Sequence, residues 1–257
     1  MRPIQKWAVG HINPKTQKAI KEKYSPSSDA KPDLDDNLGP YCGYCEGFNK
    51  DNQVDHIVSQ NQIDKKKLPK EMKYLWDNFI SACSKCNGKD NKTDNEVDFD
   101  KMYFPHRNNT FMAFTYKEGF VVTVNSNLSP KQQLKAQALM DLVGLDKFPI
   151  PAQNSGYFNP KYPNFDKRKD NRWMHRDEAW HCADRYLTKY EAGEVDADGV
   201  ANIADRRGHF SVWFTVFMAH KAVKKALIDR FEGTALDCFD DDCNPIPRNP
   251  NNLDDPL

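Results

Sequence analysis

The sequence predicts an α+β protein with a metal-braced domain at residues 1–107 and a mainly α-helical domain at residues 108–257. Three features predict this division. Two Cys-x-x-Cys pairs lie in the first part, and a short strand-forming run lies between them. Long segments with helical start and stop signals lie in the second part.

The composition is that of an ordinary globular chain of 257 residues, with 39% hydrophobic and 29% charged residues. The longest strongly apolar run, Val212–Ala219, is far shorter than the roughly 20 residues needed to cross a bilayer. Met1–Lys6 lacks the apolar segment of a secretory signal. We therefore expect a cytoplasmic protein that does not bind membranes.

The net charge is zero, because 37 Lys and Arg residues balance 37 Asp and Glu residues. Proteins that bind nucleic acid on their own usually carry a basic excess, because cationic side chains release counterions from phosphates. Neither half of this chain is strongly basic. If the protein acts on nucleic acid, we expect another component to bring it there.

Four segments of the first domain have a predicted structure. Residues 14–23 are typical of a short exposed helix, and residues 25–40 are typical of a linker rich in Ser, Pro and Asp. Val54–Val58 predicts a short strand. Residues 68–80 predict a helix that begins near Pro69.

The second domain begins with a predicted β-hairpin over residues 110–124, which turns at residues 117–119. The next predicted element is a helix over residues 130–143, with Ser129 as N-cap and Gly144 as C-cap.

A Pro- and Asn-rich connector at residues 148–164 precedes two longer predicted helices, at residues 170–192 and 208–231. The tail from Asp240 is rich in Asp, Asn and Pro, so we expect it to be flexible.

Four of the seven cysteines form the two Cys-x-x-Cys pairs, which are Cys42, Cys45, Cys83 and Cys86. Each pair forms a turn that points two thiolates at one ion, and two pairs complete the tetrahedral set that Zn²⁺ prefers. Such a site leaves no open coordination position, so we expect a structural zinc ion. The alternative interpretation is two pairs of buried or redox-active thiols.

Asp55 and His56 lie on the predicted strand between the two cysteine pairs. Asp55 offers a hard oxygen ligand for Mg²⁺, and His56 offers a base near neutral pH. By itself an Asp-His pair predicts only a structural hydrogen bond. Its position between the two Cys-x-x-Cys turns, here called the zinc knuckles, favours a catalytic role.

The segment from residue 41 to residue 92 resembles the zinc-knuckle form of the ββα-metal, or HNH, nuclease motif. The matching elements are Cys42-x-x-Cys45, Asp55-His56-Ile57, Asn78 and Cys83-x-x-Cys86-Asn87. The resemblance implies that His56 is the general base, while Asp55 and Asn87 hold a catalytic Mg²⁺ or Mn²⁺. It also implies that Asn78 holds the catalytic hairpin through its backbone, although Asn is also common as a helix-end cap.

Two positions depart from the family pattern. Members often have Pro three residues after the catalytic His, where this chain has Ser59. Many also place Lys three residues after the final His or Asn, where this chain has Asp90, with Lys89 and Lys92 beside it. The phosphate contact that the family gives to that Lys therefore has no matching residue at that position.

A narrower resemblance involves Met-Arg-Pro-Ile-x-Lys at the start, Leu38–Glu46, and Leu75–Cys83. These runs are similar to the HNH subunits of Septu-type and retron-associated anti-phage defence systems. The resemblance implies DNA as substrate, a partner ATPase of the ABC/SMC-like class, and association with a retron nucleic acid–protein complex. The alternatives are a stand-alone restriction-type or homing nuclease and a non-catalytic zinc-knuckle subunit that binds nucleic acid.

Three further features of the second domain bear on its function. Basic residues alternate with Trp173 and Trp180 over residues 161–185, which fits either DNA contact or a solvated face beside packed tryptophans. His175, His181 and Cys182 lack a matching pair at ligand spacing, which argues against a second metal site. The apolar run at residues 210–218 fits an internal core or a partner groove.

Overall fold

The structure is a computed structural model of the chain, and it describes residues 1–117, 120–148, 169–252 and 254–257. The amino-terminal part contains α1 (Lys31–Leu38), β1 (Gln53–His56), α2 (Gln60–Lys65), β2 (Phe79–Ala82), α3 (Ser84–Asn87) and α4 (Thr110–Ala113). The remainder contains β3 (Phe114–Tyr116), β4 (Val122–Val124), α5 (Pro130–Val143), α6 (Arg172–Glu191), α7 (Ala197–Arg207), α8 (Phe210–Val216) and α9 (Lys221–Arg230). This is a mixed α/β structure whose carboxy-terminal part is mainly helical, as expected; the ββα-metal arrangement and the boundary at residue 107 stay predictions.

Strand β1 is held by antiparallel pairing with β2, in a register that places Asp55 opposite Ile80 and His56 opposite Phe79. All four residues of β2 are buried, so β1 pairs with a strand that lies in the core. Helix α1 packs against β2 and buries Leu34 and Leu38. The strand that carries Asp55 and His56 is therefore fixed to the core.

The prediction of a linker at residues 25–40 is wrong, because α1 occupies its second half. Leu34 and Leu38 are four residues apart and lie on one helical face, and Pro32 lies in the first turn, where it costs no hydrogen bond. The predicted helix at residues 14–23 is also wrong. The Oδ1 of Asn13 accepts hydrogen bonds from the backbone of Lys15 and Thr16, which stabilises a turn instead of a helix.

The helix predicted at residues 68–80 is replaced by two 3-10 turns, Lys70–Lys73 and Trp76–Asn78, followed by β2. Leu75 between them has an extended backbone and bridges to Lys23. The apolar residues of this segment are needed on a strand opposite β1, and that pairing outweighs their helical spacing.

Helix α5 confirms the prediction made from its caps. Ser129 and Gln132 form a capping box, and Gly144 ends the helix in the left-handed conformation with φ of 58°. The predicted hairpin is confirmed in part, because β3 pairs antiparallel with β4 after the short helix α4. Residues 118 and 119 of its turn, and residues 149–164 of the predicted connector, lie outside the described residues.

The helix predicted at residues 170–192 is confirmed as α6, but the single helix predicted at residues 208–231 is wrong. The chain leaves helical geometry at Phe217 and His220, so α8 and α9 are separate, and α9 packs against α7. Sequence reasoning missed α7 entirely. Its signals were present: the Asp196 side chain accepts the Gly199 N–H at 2.7 Å, and Gly208 ends the helix.

Glu46, next to the first cysteine pair, joins the two halves of the chain. Its buried carboxylate accepts hydrogen bonds from the backbone N–H and the hydroxyl of Ser211, each at 2.7 Å. Gly208 lies against the same knuckle with φ of +72°, and an added Cβ would lie 2.5 Å from the Glu46 carbonyl oxygen. The first turn of α8 is thus bonded directly to the knuckle.

The end of the tail from Asp240, which the sequence predicts to be flexible, is packed against the rest of the chain, since Asp255 and Leu257 are buried. Asp255 accepts hydrogen bonds from Lys135 and Tyr103, each at 2.6 Å, and the Leu257 carbonyl accepts the Asn109 N–H at 3.0 Å. The Asp255 side chain thus pairs with Lys135 on α5, a contact that the composition of the tail does not reveal. No helix in the described ranges is both long and apolar enough to cross a bilayer.

Candidate active site

The four paired cysteines converge. Their sulfur atoms all lie within 4.8 Å of one another, and the Sγ atoms of Cys45 and Cys83 are 3.8 Å apart. A tetrahedral zinc ion with Zn–S bonds of about 2.3 Å requires sulfur atoms about 3.8 Å apart. The donor set therefore fits Zn²⁺, and its four thiolates fit a closed structural site.

Local geometry explains why the first knuckle turns where it does. The Gly43 N–H bonds to the Ser81 carbonyl oxygen at 2.8 Å, so the turn lies directly on β2. A Cβ at Gly43 would lie 2.6 Å from the Cδ1 of Ile80, which no side chain tolerates without rearrangement. Glycine at this position allows the knuckle to reach the second pair.

Arg172, from α6, reaches the sulfur atoms of the four-cysteine cluster. Its buried guanidinium donates to the Sγ of Cys86 at 3.0 Å and forms an ion pair with Asp170 at 2.6 Å. Arg176, one turn later, is also buried and donates to the carbonyl oxygens of Phe120 and Leu145. Burial therefore contradicts both interpretations, DNA contact and a solvated basic face, for these two arginines. Lys167 and Arg168 lie outside the described residues.

Asp55 points into the protein and is only 2% exposed. Its Oδ1 accepts from the Nζ of Lys92 at 2.9 Å, and its Oδ2 accepts from the Tyr44 hydroxyl at 2.8 Å. Burial raises the pKa of the Asp55 carboxyl, while both donors oppose that shift by bonding to the charged form. Each carboxylate oxygen keeps a further lone pair for a metal ion.

His56 is oriented by a backbone carbonyl. Its Nε2 lies 2.9 Å from the Lys73 carbonyl oxygen. A carbonyl only accepts hydrogen bonds, so Nε2 carries the proton and Nδ1 keeps its lone pair. Burial lowers the pKa of His56, which favours the neutral imidazole that a general base requires.

Asn78 joins the end of β1 to the turn before β2. Its Oδ1 accepts from the Val58 N–H at 2.8 Å, and its Nδ2 donates to the carbonyl oxygens of Val58 at 3.0 Å and Met72 at 2.9 Å. The Asn78 side chain therefore makes both hydrogen bonds with the Val58 backbone that a neighbouring strand would otherwise make. It also holds the segment whose Lys73 carbonyl orients the imidazole.

An open cavity of about 320 Å³ brings three of the four predicted site residues together, namely Asp55, His56 and Asn87. Asn87 ends α3, and within the described residues its side-chain amide makes no hydrogen bond, so its oxygen is available to a ligand. Asn78 lines a different cavity, together with Val58. The fourth residue thus supports the site and does not face it.

Sequence reasoning missed three residues of this site. Tyr44 lies inside the first knuckle, Lys92 follows the second, and Asp94 lines the cavity beside Asn87. Lys92 was visible as a cation near the expected Lys position, but only the folded chain shows that its side chain turns inward to Asp55. Nothing in the local sequence signals the roles of Tyr44 and Asp94.

Comparison with curated proteins gives no match to the chain. Comparison with protein families gives one: residues 40–93 match the family model of the HNH endonucleases. That segment holds both cysteine pairs and, except for Asp94, the residues that line the cavity. Residues 40–93 are therefore similar to HNH endonuclease domains, and this similarity supports nuclease activity at the level of the family.

Proposed function

We propose that this protein is a divalent-metal-dependent endonuclease that hydrolyses phosphodiester bonds of DNA. The observation that carries the proposal is the shared cavity of Asp55, His56 and Asn87, in which the imidazole is held in the tautomer of a base. A non-catalytic zinc-knuckle subunit would have no use for that arrangement.

The reaction follows from the positions of these side chains. A water oxygen attacks phosphorus, and its proton passes to the Nδ1 of His56 while the bond from phosphorus to the 3′ oxygen breaks. The departing 3′ oxygen takes a proton from solvent, so the products carry 5′-phosphate and 3′-hydroxyl ends. The Lys73 carbonyl stabilises the imidazolium that forms, because its oxygen accepts a hydrogen bond from Nε2, 2.9 Å away.

Asp55 and Asn87 are the residues that would hold Mg²⁺ or Mn²⁺. Both offer hard oxygen donors to the cavity, which suits these ions. Such an ion supplies the positive charge that stabilises the departing oxygen. The zinc ion proposed for the four cysteines has no open position and serves the fold.

Plasmid cleavage with Mg²⁺ or Mn²⁺ tests this function. His56→Ala is expected to reduce the rate about 100-fold or more, because a positioned base typically contributes that much. His181→Ala is the matched control, since His181 is exposed on α6. Equal cleavage by wild type and His56→Ala would refute the assignment, and DNA binding without cleavage by the wild type would support a binding module.

We further propose that the protein is the cytoplasmic cutting subunit of an anti-phage complex with an ABC/SMC-like ATPase, joined by a retron nucleic acid–protein complex in systems that contain one. Support comes from the zero net charge and from the similarity of three sequence runs to such subunits. Purification of the chain together with the product of the neighbouring gene tests whether such an ATPase is the partner. Full activity alone, without a stable complex, would contradict it.

A further inference from the structure

Lys92 is a buried cation in contact with both proposed catalytic residues. Its side chain is 0% exposed, and its ammonium donates to the Asp55 Oδ1 at 2.9 Å and to the His56 carbonyl oxygen at 2.7 Å. A buried ammonium is costly unless it is paired, so this geometry requires the charge on Asp55. Lys92 therefore cannot serve as the exposed phosphate contact that the nuclease family places nearby.

The Asp55 carboxylate is held at both oxygens. Lys92 bonds to Oδ1 with a positive charge, and Tyr44 bonds to Oδ2 at 2.8 Å without one. The two donors share an orienting role, but they differ in their effect on a cation at the same carboxylate. An ammonium repels a divalent ion placed a few ångströms away, and the repulsion is strong where water is excluded.

We propose that Lys92 is a positioning residue that holds Asp55 in place and keeps its affinity for a divalent ion low until nucleic acid is bound. The inference rests on the proposed function, since it assigns Asp55 to a metal. A substrate phosphate brings negative charge into the cavity and offsets the repulsion from Lys92. The ion and the substrate therefore bind cooperatively, and the free protein holds the ion weakly.

Mn²⁺ binding to the zinc-loaded protein, without nucleic acid, tests this by electron paramagnetic resonance of the free ion. Lys92→Met removes the charge and is expected to bind Mn²⁺ about tenfold more tightly or better. Tyr44→Phe, the matched control, removes the uncharged donor and is expected not to tighten binding. Asp55→Asn identifies the site, because its loss of binding marks the ions that Asp55 holds.

Lys92→Gln is the second variant, for the case in which Lys92→Met does not fold, because glutamine keeps a hydrogen-bond donor while removing the charge. Both Lys92 variants are checked by circular dichroism and zinc content. Unchanged or weaker Mn²⁺ affinity in a folded variant would overturn the inference. Unfolding of both would overturn it as well, because the ion pair would then be needed for the fold and not for setting affinity.

The proposed function fails differently. If neither the wild type nor the variants bind Mn²⁺ at a site that depends on Asp55, the catalytic metal site itself is wrong. If all bind with equal affinity, only the role of Lys92 is wrong.

Discussion

The guanidinium of Arg172 donates a hydrogen bond to the Sγ of Cys86 at 3.0 Å, although 86 positions separate them in the chain. The same guanidinium donates to the carbonyl oxygens of Val143 and Gly144, at the end of α5. A zinc ion with four thiolates carries two net negative charges, and a buried arginine offsets part of them. The helical part of the chain thus completes the environment of the four-cysteine cluster.

Arg172→Met is expected to weaken zinc retention and to lower the free energy of unfolding by about 3–5 kcal/mol, because it leaves Asp170 buried without its partner. Zinc release to a colourimetric chelator and thermal denaturation measure the two effects. Arg185→Met, at an exposed position on the same helix, is the control. Zinc release at the wild-type rate would show that the contact with Cys86 contributes nothing.

Cys45→Ser is expected to reduce the zinc content and to disorder the first domain, because the two knuckles are joined through the metal. Zinc analysis and circular dichroism measure these changes. Cys182→Ala removes a buried cysteine that lies outside the cluster, and it is expected to keep its zinc. Retention of both zinc and structure by Cys45→Ser would contradict the four-thiolate site.

Asn78→Asp is expected to lower the free energy of unfolding by about 1–3 kcal/mol, because the carbonyl oxygens of Val58 and Met72 lose their donor. Cleavage should fall as well, since the segment that orients His56 loosens. Asn202→Asp, exposed on α7, serves for comparison. A wild-type melting temperature in Asn78→Asp would mean that these hydrogen bonds do not hold the hairpin.

The packed tail predicts a pH dependence of stability. Burial raises the pKa of Asp255, but Lys135 and Tyr103 more than offset this and hold the pKa below its ordinary value. An acid with a lowered pKa stabilises the fold above its unfolded pKa of about 3.9, and the contribution is lost as the pH falls through the folded value.

Asp255→Asn should therefore cost about 1 kcal/mol near neutral pH and progressively less below about pH 3.9. Urea denaturation at several pH values measures the difference. Asp254→Asn changes the exposed neighbour and is expected to have little effect. A constant difference across the pH range would exclude the ion pair as its cause.

The sequence by itself determined the parts of this protein that depend on local chemistry. Cysteine spacing indicated the four-sulfur cluster, and the capping signals of Ser129 and Gly144 predicted α5. Asp55 and His56 were identified by their place between the two cysteine pairs and Asn87 by its place directly after the second pair, and the fold brings all three to one cavity.

Tertiary structure alone decided which long-range partner each residue takes. The apolar spacing at residues 68–80 fits a helix, but pairing with β1 makes its end a strand. Lys92 and Arg172 look like ordinary surface cations in sequence; burial against Asp55 and Cys86 gives them their roles. Each of these charges is buried because a group from a distant segment pairs with it, and the local sequence does not show which group that will be.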